Sequence, residues 1–135
     1  MNKLIVTIAF AILTQIAVAQ QPKLAVISFD ALGAQLKTDQ LTELLRIEIS
    51  KHNKYEMIDR YEINEALTAA QLDIKNCFSK SCLGKAGEIL KVDYAMSGSA
   101  DLLGDAMFIR LRMINLQNNT LEKEVVKEFL NIPEK

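Results

Sequence analysis

Histidine is nearly missing from this chain: His52 is the one example among 135 residues. Without a second histidine, a cysteine nucleophile paired to it or a glycine-flanked serine, a nucleophile–base–orienter triad has no support. Met96-Ser97-Gly98-Ser99-Ala100 does not place glycines on both sides of a serine, so it is not a nucleophile elbow. His52 falls at a predicted helix end beside Lys51 and Asn53, where a solvated residue favoured by the helix dipole is the plain reading. Glycine is also sparse, with five in all. Gly84 and Gly87 sit inside a predicted helix, not between strand and helix, so no phosphate-cradling loop is present. Cysteine is limited to Cys77 and Cys82, which lack the two-residue spacing of a Cys-x-x-Cys redox motif. A metal set around them lacks partners, because His52 is remote in sequence and Asp73 and Asp101 are the only acids nearby in plausible positions. No cofactor and no metal are therefore expected, and the chain reads as no enzyme.

Charge of one sign is lacking too: 16 basic residues stand against 17 acidic ones, a formal net charge of −1. That balance gives no reason to expect nucleic acid or an anionic membrane as partner. There is no Pro/Gly-rich linker, no low-complexity segment and no internal repeat, so the chain beyond its first residues reads as one domain. No apolar run reaches the ~20 residues that a membrane-spanning helix needs.

What is present begins at Lys3. It is followed by the apolar run Leu4–Leu13 and then by Ala17-Val18-Ala19, interrupted by Gln15 and closed by Gln20–Gln21. A basic start, a short apolar region and an Ala-x-Ala site make a secretory signal peptide over residues 1–19, cleaved after Ala19. The product is expected in the periplasm or outside the cell, and no cysteine near the cleavage site provides a lipid anchor. In that oxidising setting an even cysteine count favours a disulfide between Cys77 and Cys82. Free thiols, a redox pair or a metal site are the alternatives.

Periodicity gives the elements. Lys23–Phe29 is a branched apolar run closed by Asp30 and Gly33, a buried strand entering a turn. Thr38-Asp39 offers a helix cap and a first-turn acid, and Leu41, Leu44, Leu45 and Ile49 give that helix an apolar face. Asn53 is its stop. Tyr55–Ile58 is a second short strand, and Asp59 with Glu62 reads as a cap and its reciprocal acid opening a helix striped by Ile63, Ala66, Leu67 and Ala70. The cysteine loop follows, then a helix from about Ser81 to Leu90 with Ala86, Ile89 and Leu90 inward. Val92–Gly98 is a strand. Met107–Ile114 alternates most clearly, with Met107, Ile109, Leu111 and Met113 on one face and Phe108, Arg110 and Arg112 on the other. Gln117–Thr120 is a hairpin turn with Asn119 as the left-handed residue. The last strand, Leu121–Phe129, carries charge on both faces, as suits a protected sheet edge. Pairing Leu116 with Thr120 puts Arg112 opposite Glu124. The fold class expected is α/β: one domain, β-α-β-α-α-β-β-β, a mixed sheet of about five strands with right-handed crossovers and helices packed on it.

Asp30, Asp59, Asp93 and Asp101 sit at predicted strand ends, where aspartate more often caps turns than carries catalysis. Asn118-Asn119-Thr120 matches a glycosylation acceptor, but the leader has a bacterial look.

Lys23–Phe29 with Gly33, Tyr55–Arg60, the two cysteines ahead of Gly87-Glu-Ile-Leu-Lys-Val-Asp-Tyr-Ala-Met-Ser-Gly98, and Ile109–Leu116 with its turn resemble one bacterial envelope superfamily. These are the curli-secretion-channel-like (CsgG-like) domains, whose relatives include the N-terminal domain of the Tol translocation protein TolB and lipoprotein activators of peptidoglycan synthases. The resemblance spans nearly the whole chain after the leader. It implies an α/β periplasmic domain that binds an envelope protein partner and has no catalytic activity. The chain departs from the pattern in three ways: no lipobox cysteine, no long amphipathic hairpins to line a pore, and Lys91 and Asn119 where relatives place glycines. The surfaces expected to meet a partner are the last strand, at Val125, Lys127 and Phe129, and the cysteine loop at Phe78. A different expectation is a sensor binding a small ligand or glycan at the strand ends near Asp30, Ser97 and Ser99.

Overall fold

The computed structural model describes residues 19–33 and 37–130; the signal peptide expected at residues 1–19 lies, but for Ala19, outside them. Eight elements follow in the expected order: β1 (Lys23–Leu32), α1 (Thr38–Ser50), β2 (Glu56–Met57), α2 (Arg60–Ala69), α3 (Lys80–Leu90), β3 (Tyr94–Leu103), β4 (Ala106–Asn115) and β5 (Thr120–Leu130). They form one five-stranded sheet in the order β2-β1-β3-β4-β5. β1 pairs in parallel with β2 and β3, and β3-β4-β5 is an antiparallel meander. The α/β class with a mixed five-stranded sheet is as the sequence predicts.

The strand order decides where the helices go. From β1 the chain crosses one way to β2 and then back past β1 to β3. Right-handed crossovers in opposite directions place their helices on opposite faces of the sheet. α1 therefore covers one face, and α2 and α3 the other. The packing agrees: the main core joins Ala25, Ile27, Ala95 and Ile114 of the sheet to Ile63 and Leu67 of α2 and Leu83 and Ala86 of α3, with no residue from α1. Leu24 and Val26, which point the other way along β1, are nonetheless fully buried. α1 is anchored there by Arg46, which is itself buried and donates from Nη2 to the Val26 carbonyl at 2.8 Å. That contact falls where the β1–β3 register slips between Val26 and Phe29, a bulge.

Local details show which sequence signals governed. Asp59 caps α2, accepting from the Tyr61 and Glu62 N–H groups at 2.8 and 2.9 Å. Thr38 does not cap α1; Lys37 is the cap residue and offers no side-chain bond, while Thr38 is already helical. α3 begins at Lys80, one residue earlier than expected, because Ser79 caps it. Asn53, Lys91 and Asn119 all take left-handed backbone angles. β3 runs past Gly98 to Leu103, so Asp101 lies within the strand rather than at its end. Gly98 is there for close approach: a Cβ on it would run into the Phe29 ring. The hairpin corrects the pairing at its turn, where Asn115, not Leu116, faces Thr120. A slip at Met113/Ile114 restores Arg112 opposite Glu124, and the two are 3.3 Å apart. Cys77 and Cys82 form a disulfide.

Candidate functional site

The two helical layers leave part of the sheet uncovered. β5 is exposed along its 11 residues, with Val125 alone half-buried, and its outer edge carries no neighbouring strand among the described residues. Its register with β4 sorts its side chains. Lys123, Val125, Lys127 and Phe129 sit opposite Met113, Leu111, Ile109 and Met107, whereas Glu124, Val126 and Glu128 sit opposite Arg112, Arg110 and Phe108. Ile114, in line with the latter set, belongs to the core under α2 and α3. The apolar row of β4 thus faces away from those helices. It forms, with β3 and β5, a half-covered groove of about 200 Å³ lined by Met96, Leu111, Met113, Lys123 and Val125. The two faces of β5 differ in sign, one with lysines and the other with glutamates.

Of the expected partner-binding residues, Val125, Lys127 and Phe129 share this one face, and Phe129 is 50% exposed. Phe78 is placed elsewhere. It is half-buried on the α2–α3 side, its carbonyl accepts from Arg112 Nη1 at 2.9 Å, and the Arg112 guanidinium lies 4.4 Å from its ring centre. A cation over an aromatic face is an attractive contact, so Phe78 is engaged within the fold.

The expected strand-end acids separate into different duties. Asp93 accepts from the Lys23 N–H at 2.7 Å and fastens the start of β1 to β3. Asp101 pairs with Arg110 and is near Ser99. Ser97 is fully buried and Ser99 is 7% exposed. Ser97 sits 3.4 Å from Ser28 across the strands. Neither serine is in the wall of the β4–β5 groove or of the cavity that Asp30 lines. That cavity, of about 350 Å³, opens at the carboxyl end of β1, between the starts of α1 and α2, with Ser28, Asp30, Glu43, Arg46, Arg60 and Tyr61 in its wall. Burial raises the Asp30 carboxyl above its usual range; the Asn76 N–H lowers it and the Asp101 charge raises it further. The Arg60 guanidinium is raised first by its hydrogen bond to the Tyr61 hydroxyl and more weakly by the charges of Glu43 and Asp39. Arg46, Arg60 and Tyr61 gave no sequence signal as site residues. An arginine among the leucines of α1 with Glu43 three residues earlier was the available clue. Among the described residues no group of three or more His, Cys, Asp and Glu side chains converges as a metal site, and no helix is long and apolar enough to cross a membrane.

No family model and no curated protein matches this chain. Solved structures do. The C-terminal domain of LpoB from Salmonella enterica superposes with a TM-score of 0.70 at 15% identity, covering 92% of this chain and 93% of that one. The LpoB C-terminal domain from Escherichia coli gives 0.67 at 15% identity, covering 91% and 93%. Lipoprotein GNA1162 from Neisseria meningitidis gives 0.66 at 10%, covering 81% and 80%. This chain shares the LpoB domain fold. At these identities the likeness concerns fold alone.

Proposed function

We propose that this chain is a non-enzymatic protein-interaction module of a bacterial envelope or secretion assembly, working in the periplasm or outside the cell. The observation that carries the reading is β5, an 11-residue strand exposed at the sheet edge beside an apolar groove. An open edge accepts a partner strand through main-chain hydrogen bonds, and pockets beside it select alternate side chains. Lys123 lines the groove and Lys127 follows on the same face of β5, which favours a partner segment carrying apolar residues between carboxylates. The secretory leader pattern supports an extracytoplasmic setting, and the LpoB-like fold supports a place in the envelope.

The test is affinity capture after crosslinking in the cell, comparing the wild-type protein with Val125→Asp and Lys127→Glu variants. The reading expects an envelope protein captured by the wild type and lost from both variants while their folding is unchanged. Undiminished capture by both variants would overturn it.

A further inference from the structure

We propose that the cavity between β1, α1 and α2 binds a small zwitterion of amino-acid or dipeptide size, its ammonium held by Asp30 and its carboxylate by Arg60. The position is the first argument. β1 feeds its crossover to one face and β2 feeds its own to the other, so the crevice outside their carboxyl ends is a topological switch point. In open α/β sheets ligands bind in such crevices. The second argument is size: about 350 Å³ lies in the range of small-molecule pockets and is too small for a folded partner.

Charge selects the chemistry. Arg46 already holds Glu43 and the Val26 carbonyl, and its buried Nε has no partner. Asp30 has one Oδ1 contact, the Asn76 N–H at 3.1 Å, and no cation pairs with it among the described residues. It sits close enough to Asp101 to feel its charge, so an incoming ammonium would relieve both its burial and that repulsion. Arg60 likewise pairs with no carboxylate there, and it is held in place rather than free. Its Nη2 donates to the Tyr61 hydroxyl at 2.7 Å and its guanidinium lies 4.7 Å from the Tyr61 ring centre. The cavity wall thus offers one carboxylate and one guanidinium with no ion-pair partner among the described residues, beside Asp39, Glu43 and Lys75 in the same wall. A ligand with a single charge satisfies one side and leaves the other as it was. This inference is independent of the β5 reading.

The experiment titrates alanyl-alanine into the purified protein and follows backbone amide shifts, above all those of Asn76 and Tyr61. The expected result is saturable binding with Kd of ~1 mM or tighter. Acetylating the amine, amidating the carboxyl, or substituting Asp30→Asn or Arg60→Gln should each weaken it by roughly tenfold or more, the cost of one charged hydrogen bond. Lys85→Glu, at an exposed position on α3 that is not in the cavity wall, should bind as the wild type does. Absence of any shift at ~10 mM, equal binding of the doubly blocked dipeptide, or indifference to both cavity substitutions would overturn the proposal. So would loss of binding in Lys85→Glu, which would put the ligand outside the cavity.

Discussion

The sheet has two halves that solve opposite problems. β1, with β2 and β3, is sandwiched between α1 and the α2–α3 pair, and six successive residues of β1 are buried. β4 is only partly covered, with Ile114 in the core under α2 and α3, and β5 is exposed almost throughout. A parallel strand covered on both faces reads as a nearly continuous apolar run, whereas an uncovered antiparallel strand can sort its residues by face. The composition follows: β1 reads Leu-Ala-Val-Ile without a break, and β5 sets Lys123 and Lys127 on one face and Glu124 and Glu128 on the other. The buried side chains concentrate in the covered half, and the uncovered half presents its edge strand to solvent.

The largest expected effects break the covered half alone. Leu83→Ala, at a fully buried side chain under the sheet, should cost ~2–5 kcal/mol in denaturant unfolding. Val126→Ala on β5, 55% exposed, should change stability by no more than ~0.5 kcal/mol. Equal losses would erase the contrast. Next comes the seam between the halves. Gly98→Ala puts a methyl group against Phe29 of β1 and Leu111 of β4 and should cost ~1–3 kcal/mol by overpacking. Smaller still is a cross-strand ion pair joining β4 to β5: a double-mutant cycle on Arg112 and Glu124 should return ~0.2–1 kcal/mol.

The smallest effect concerns Asp30, at the carboxyl end of the covered half. Its folded pKa is raised, so the folded state binds its proton more tightly than the unfolded chain does. Stability from this group is therefore gained as pH falls through the raised folded value and is lost as pH rises through it. Asp30→Asn should melt slightly higher than the wild type at neutral pH, with the gap closing in acid. A gap that widens in acid would show the opposite shift.

What could be read from the sequence was local. The Asp59 cap, the left-handed Asn119 and the element order are set by neighbours a few residues apart, and each is as expected. The arrangement of the faces was not readable. The alternation of β4 shows that two faces differ, but not that the arginine-bearing face lies under α2 and α3 through Arg112 and Phe78. Gly98 looked like a strand end because its reason, the Phe29 ring, lies on another strand. The Asp30 cavity depends on crossover handedness, which no short window of residues contains. Arg46 was hidden for the same reason, its partner carbonyl being 20 positions away.

The most direct test of the account is photocrosslinking in the cell from single introduced probes. One set would sit at Val126 and Phe129 on β5, the other at Tyr61 and Glu65 on the exposed side of α2. The account predicts a discrete envelope-protein adduct from the β5 positions and none shared by the helix positions. Adducts from α2 with none from β5 would contradict it and move the partner surface to the covered half.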